Sequence, residues 1–141
     1  MYAVPAEQTE IHFMVVNADP IQRRLLTALL RELGYLRISE AEDGAMALRA
    51  FKVAQSVGAP IDLVITDSAM PILDGVGLLR RMRNDDLLQH TPVLMVTAHA
   101  TREAVLQAAQ AGADSCVVKP FTTNKLRQKI DALLQKLPVN A

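Results

Sequence analysis

The sequence predicts an α/β domain, a five-stranded parallel sheet with helices on both faces. Short apolar runs rich in β-branched residues, such as Val93-Leu94-Met95-Val96, have the length and character of strands buried on both sides. Segments with apolar residues at helical spacing separate these runs, so strand and helix alternate along the chain. The joints are short and rich in Gly, Pro, Asp and Asn, residues that punctuate secondary structure.

The first strand runs from Ile11 to Val16, and Asn17-Ala18-Asp19-Pro20 ends it and starts a helix. Asp19 suits the N-cap and Pro20 the first helical position, where no amide hydrogen is needed. Ile21, Leu25, Leu29 and Leu33 form a stripe along this helix, and Gly34 stops it. A second strand covers about Leu36 to Glu40. Asp43-Gly44 separates it from a helix whose inward face carries Ala47, Leu48 and Phe51. Gly58-Ala59-Pro60 breaks the chain before the third strand, Ile61 to Thr66. A loop with Pro71 and Asp74-Gly75 leads to a short helix marked by Val76, Leu79 and Met82, ending near Asn84.

Thr91-Pro92 introduces the fourth strand, Val93 to Val96, which closes on Thr97-Ala98. A helix follows from about Thr101 to Ala111, capped at Gly112. The fifth strand is Ser115 to Val118. The last helix starts near Thr122 or Thr123, turns Leu126, Ile130, Leu133 and Leu134 inward, and ends before Pro138. Right-handed crossovers leave few ways to order five such units, and the flavodoxin-like order 2-1-3-4-5 is a common one. Residues 11–137 are therefore expected to form one domain, with residues 1–10 and 138–141 as tails.

Composition narrows the function. Half of the 141 residues are hydrophobic, which excludes disorder for most of the chain. The formal net charge is zero, which argues against a sequence-blind grip on nucleic acid or an anionic membrane. No apolar run approaches the roughly 20 residues of a membrane span. The single cysteine, Cys116, lies in an apolar run and fits a reducing compartment; a cytoplasmic location is expected. The stretch from Ser115 onward is locally basic, with Lys119, Lys125, Arg127, Lys129 and Lys136. A solvated helix face explains this, and a docking surface for an acidic partner is the other reading.

In a parallel sheet, ligands bind outside the carboxyl ends of the strands. Four strand ends bring polar groups to that rim: Asn17-Ala18-Asp19, Asp67, Thr97 and Lys119. A carboxylate, a hydroxyl and an ammonium in one crevice suit phosphoryl chemistry, with Asp67 as nucleophile and Thr97 and Lys119 binding oxygens. Each residue alone is a common strand terminator; four on one rim argue for a site. A phosphatase with an aspartyl nucleophile typically has a second Asp two residues on, where this chain has Ala69. A flavin-binding domain would need a phosphate-cradling loop after strand one, where this chain places a carboxylate.

Three motifs at these spacings, Thr66-Asp67-Ser68-Ala69-Met70-Pro71-Ile72-Leu73-Asp74-Gly75, Val96-Thr97-Ala98 and Val117-Val118-Lys119-Pro120-Phe121, resemble those of bacterial response-regulator receiver domains of the stand-alone, chemotaxis-like kind. The resemblance covers about Ile11 to Leu137. It implies Asp67 as phosphoacceptor, Thr97 as switch hydroxyl, Lys119 as phosphate-binding lysine and a cis Lys119-Pro120 bond. It further implies Mg²⁺ as cofactor, a histidine kinase or histidine phosphotransfer protein as phosphodonor, and a downstream protein rather than an enzymatic activity; the basic last helix is the candidate surface for that downstream protein.

The chain departs from the family pattern at two places. The acidic pair that usually completes the Mg²⁺ site aligns with Asn17 and Ala18. The expected metal site therefore rests on Asp67, Asn17, the Ala69 carbonyl and Asp19, and is weak. Cys116 stands where relatives often carry an aromatic side chain that moves with the threonine. Ala69 and His99 occupy positions that tune phosphate lifetime in the family, whereas His12 and His90 read as structural or surface residues. Asp67, Thr97 and Lys119 favour a phosphorylatable receiver; Asn17, Ala18 and Cys116 favour an interaction module with the same fold that is not efficiently phosphorylated.

Overall fold

Alternating side chains along the central strands divide the interior in two, as the two-residue period of a strand requires. The computed structural model describes residues 9–98 and 101–137. His99, residues 1–8 of the expected N-terminal tail and the tail at 138–141 lie outside the described residues. The elements are β1 (His12–Val16), α1 (Pro20–Glu32), β2 (Arg37–Ala41), α2 (Gly44–Ser56), β3 (Leu63–Asp67), α3 (Gly75–Arg83), β4 (Val93–Thr97), α4 (Arg102–Ala111), β5 (Ser115–Val118) and α5 (Thr123–Leu134). All strand pairs are parallel and the order is β2-β1-β3-β4-β5, as expected.

Met14, Val16, Val64 and Met95 point to the face covered by α2, α3 and α4, where they meet Phe51, Leu78, Met82 and Ala108. Phe13, Val15, Leu63, Ile65 and Leu94 point to the opposite face and pack on Leu26, Leu30, Leu126 and Ile130 of α1 and α5. The inward residues expected for α5 are all buried. In α2, Asp43 and Gly44 do more than separate elements: Asp43 caps the helix through Met46 N–H, and Gly44 is its first residue.

The stripe expected on α1 is displaced. Ile21 and Leu25 are exposed, whereas Leu26, Thr27, Leu30 and Leu33 are buried. Leucines at 25, 29 and 33 and at 26, 30 and 33 both satisfy helical spacing, so periodicity leaves the rotation of the helix open. The observed rotation packs Leu26 and Leu30 on the sheet and lets Arg23 hydrogen-bond to the Asn17 carbonyl (2.7 Å) and pair with Glu40 (3.3 Å). It also puts Gln22, one turn before Leu26, at the site end of the same row, where it is exposed.

Arg83, the last residue of α3, secures the opposite rim. Its guanidinium donates to the carbonyls of Gly112 (2.8 Å) and Thr91 (2.9 Å) and pairs with Asp114 (2.9 Å). The same Asp114 carboxylate accepts Val93 N–H at the start of β4. Gly112 ends α4 with φ 109, and a Cβ there would lie 2.7 Å from Arg83 Cγ.

Candidate functional site

Asn17, Asp67, Thr97 and Lys119 stand at or just beyond the carboxyl ends of β1, β3, β4 and β5. Register brings them together: Val16 pairs with Thr66, Asp67 with Val96, and Thr97 with Val118. The Lys119 backbone N–H donates to the Thr97 carbonyl at 2.8 Å, carrying the β5 end past β4, and the Lys119-Pro120 peptide is cis.

Asp67 and Lys119 form an ion pair, with Nζ 2.9 Å from Oδ1. The carboxylate side chain is 12% exposed and the lysine side chain 25%. Such a pair is less screened by water and salt than one on an open surface. Lys119 Nζ also donates to Gln22 Oε1 at 2.9 Å, and Asn17 Nδ2 approaches the same oxygen at 3.4 Å. Lysine only donates, so the glutamine must present its oxygen to it.

The Asp67 loop is held tightly. Ser68 N–H donates to the Val96 carbonyl, Gly75 N–H to the Ser68 carbonyl, and Asp74 caps α3 through Gly77 N–H. Between them Leu73 N–H donates to the Pro71 carbonyl at 2.7 Å, closing a three-residue turn around Ile72, whose φ is 67. A β-branched residue in that region is strained. Gly75 is needed because a Cβ there would sit 2.5 Å from the Asp67 carbonyl oxygen.

Thr97 is buried, and Ser68 Oγ donates to its Oγ1 at 3.1 Å. Beside it is a cavity of about 220 Å³ whose lining includes Ser68, Thr97, Met95, Gln107 and Cys116. Burial pushes the Cys116 thiol up, with the nearby Lys129 ammonium pulling weakly the other way. The thiol therefore keeps its proton, as suits a packing residue rather than a nucleophile. His12 is also structural: its ring nitrogens meet the Ala59 carbonyl (2.9 Å) and Ser39 Oγ (2.7 Å). His90 is exposed.

The residues considered for a metal are differently engaged. Asn17 is buried, and its Oδ1 accepts Asp19 N–H at 2.8 Å. Asp19 is exposed and turns its carboxylate to the α1 terminus, accepting Ile21 N–H (2.9 Å) and Gln22 N–H (3.4 Å). Ala18 and Ala69 are exposed at the rim. Among the described residues no three His, Cys, Asp or Glu side chains gather to hold an ion. Mg²⁺ accepts one or two carboxylates and keeps several waters, so Asp67 with neutral oxygens fits it at minimal charge.

Gln22 and Ser68 were missed in the sequence. Gln22 stands three residues after the N-cap, where a glutamine ordinarily reaches back to the cap N–H. Here Asn17 takes that N–H, which releases Gln22 toward Lys119. Adjacency to Asp67 was the signal for Ser68.

This chain belongs to the response regulator receiver domain family, whose model matches residues 13–131. It is 41% identical over 124 residues to the chemotaxis protein CheY-3 of Vibrio cholerae, covering 88% of this chain and 92% of that protein. The signal receiver domain of a signal transduction histidine kinase from Syntrophus aciditrophicus superposes with a TM-score of 0.81 at 26% identity, covering 92% and 94% of the two chains. The receiver domain of a sensor histidine kinase from Pseudomonas aeruginosa, solved with a magnesium ion coordinated in its active-site cleft, gives 0.78 at 26% identity over 89% and 98%.

Proposed function

We propose that this chain is a single-domain response regulator of two-component signalling, which accepts a phosphoryl group on Asp67 and signals through protein contact. The observation that carries this reading is the Lys119–Asp67 pair, 2.9 Å long at the mouth of the sheet. With Oδ1 on Lys119, Oδ2 is the oxygen that would attack phosphorus. Against a phosphohistidine of a histidine kinase or phosphotransfer protein, the new O–P bond forms as the N–P bond breaks. The bonding pair leaves with the imidazole, which ends the transfer protonated.

The transferred group brings negative charge to a rim where the Lys119 ammonium already faces Asp67, so Lys119 carries much of the stabilisation on the protein's side. Thr97 would bind a phosphoryl oxygen after exchanging its bond with Ser68. That exchange moves a buried hydroxyl beside the Cys116 cavity and could pass the event toward β5 and α5. Asp67, Asn17 Oδ1 and the Ala69 carbonyl would hold Mg²⁺ weakly, and Asp19 would join only by giving up its cap. When bound, the ion would neutralise phosphoryl oxygens. The family, the likeness to a chemotaxis protein and the likeness to a magnesium-bound receiver support this reading.

Intact mass after incubation with a small phosphodonor and Mg²⁺ tests it, with Asp67→Ala alongside. A gain of one phosphoryl group in the natural protein alone is expected. Equal masses, persisting with a histidine phosphodonor protein, would favour an interaction module working without phosphorylation.

A further inference from the structure

We infer that Gln22 is a positioning residue that holds the Lys119 ammonium in place at Asp67; its part in phosphoryl transfer rests on the reading of Asp67 as acceptor. Lys119 reaches the site on a flexible four-carbon stem, and a lone ion pair leaves such a side chain several geometries. Two acceptors at 2.9 Å, Asp67 Oδ1 and Gln22 Oε1, fix the ammonium from two sides and leave its third N–H for an incoming oxygen.

Gln22 is exposed, but it stands on a fixed backbone. Its backbone is in the first turn of α1, anchored by the Asp19 cap, and Leu26 and Leu30 of the same row pack on the sheet. Asn17 keeps the cap N–H for itself and turns its Nδ2 toward Gln22 Oε1, so the amide needs no partner from its own helix. A neutral acceptor also suits the task chemically. It orients the ammonium without cancelling its charge, whereas a carboxylate at this position would compete with Asp67 for Lys119. In a site with one carboxylate at its centre, the placing of the resident cation decides how well developing negative charge is met.

The test compares the natural protein with Gln22→Leu, which keeps the bulk without the acceptor, and Gln22→Glu, which keeps an acceptor oxygen. The first readout is the NMR order parameter of the Lys119 Cε, with exposed Lys125 as an internal reference. Lys119 should be more ordered than Lys125 in the natural protein, fall to the Lys125 value in Gln22→Leu, and recover in Gln22→Glu. Backbone amide order parameters across the first turn of α1 should stay unchanged in both variants, which a merely structural effect on the helix would not allow. The second readout is the rate of phosphoryl uptake from a small phosphodonor. Gln22→Leu should slow it roughly tenfold, the loss expected for one hydrogen bond to a charged group, and should change nothing further in a Lys119→Ala background. An order parameter equal to that of Lys125 in the natural protein, or unchanged in Gln22→Leu, would overturn the inference. If the natural protein takes up no phosphoryl group, the acceptor reading falls alone, and the order parameters still decide the role of Gln22.

Discussion

Ser68 Oγ donates a hydrogen bond to Thr97 Oγ1 at 3.1 Å, tying the residue after Asp67 to the hydroxyl at the end of the next strand. Because Thr97 is buried, the bond works in a medium where losing it costs more than at the surface. Ser68→Ala, Thr97→Val and the double variant, unfolded in urea, should show a coupling of about 1 kcal/mol between the two positions. Strict additivity would mean the hydroxyls do not hold one another.

The proposed metal site rests on Asp67 with neutral oxygens, so adding carboxylates at the rim should strengthen it. Asn17→Asp keeps the oxygen that accepts Asp19 N–H, and Ala18→Asp adds a charge at an exposed position. The double variant should lose stability without divalent ions, from crowding carboxylates at Asp67, and regain it as Mg²⁺ is added. Linkage predicts about 2.7 kcal/mol at a hundredfold excess over the dissociation constant. Urea titrations across a Mg²⁺ series should show this dependence, with a much smaller response in the natural protein.

Cys116 gives a pH dependence with a definite sign. Burial raises the folded thiol above its ordinary value, so the folded chain keeps a proton that the unfolded chain releases. The contribution to stability is complete below the ordinary thiol range, about 8.5, and is lost as pH climbs through the folded value. The urea midpoint of the natural protein should therefore fall more steeply above that range than the midpoint of Cys116→Ala. Parallel curves would count against it.

Ile72 offers a test of stored strain. The residue is 85% exposed, so little packing is lost on removing its side chain, while its φ of 67 suits glycine. Relief of backbone strain, offset by the greater freedom of glycine in the unfolded chain, should leave Ile72→Gly more stable by about 1 kcal/mol. A lower urea midpoint would show that Ile72 contributes a contact that outweighs the strain.

Much of this architecture was legible because strand order and helix position follow from local patterns. Ser115 to Val118 and the inward face of α5 could be read directly, since buried residues there have no rival apolar row. The face of α1 could not be read, because two leucine rows overlap and only the Arg23 contacts and the sheet surface choose between them. That ambiguity hid Gln22. The same limit applies to Asp19, whose carboxylate could cap or coordinate by sequence alone. The rim residues themselves were visible as strand terminators, but the Lys119 and Ser68 bonds depend on distances that no spacing encodes.

The guanidinium of Arg83 makes the two ends of the sheet mechanically unequal. One side chain staples the starts of β4 and β5 to the end of α3, and Gly112 lets it lie flat against the chain. The opposite ends of these strands carry Thr97, which meets Ser68, and Lys119, which meets Asp67 and Gln22, contacts between side chains where Arg83 grips the backbone itself. Compliance is thus concentrated at one end, as in a book bound along its spine. A disturbance at Asp67 meets the free edge of the pages, and displacement there can be large while the binding stays shut.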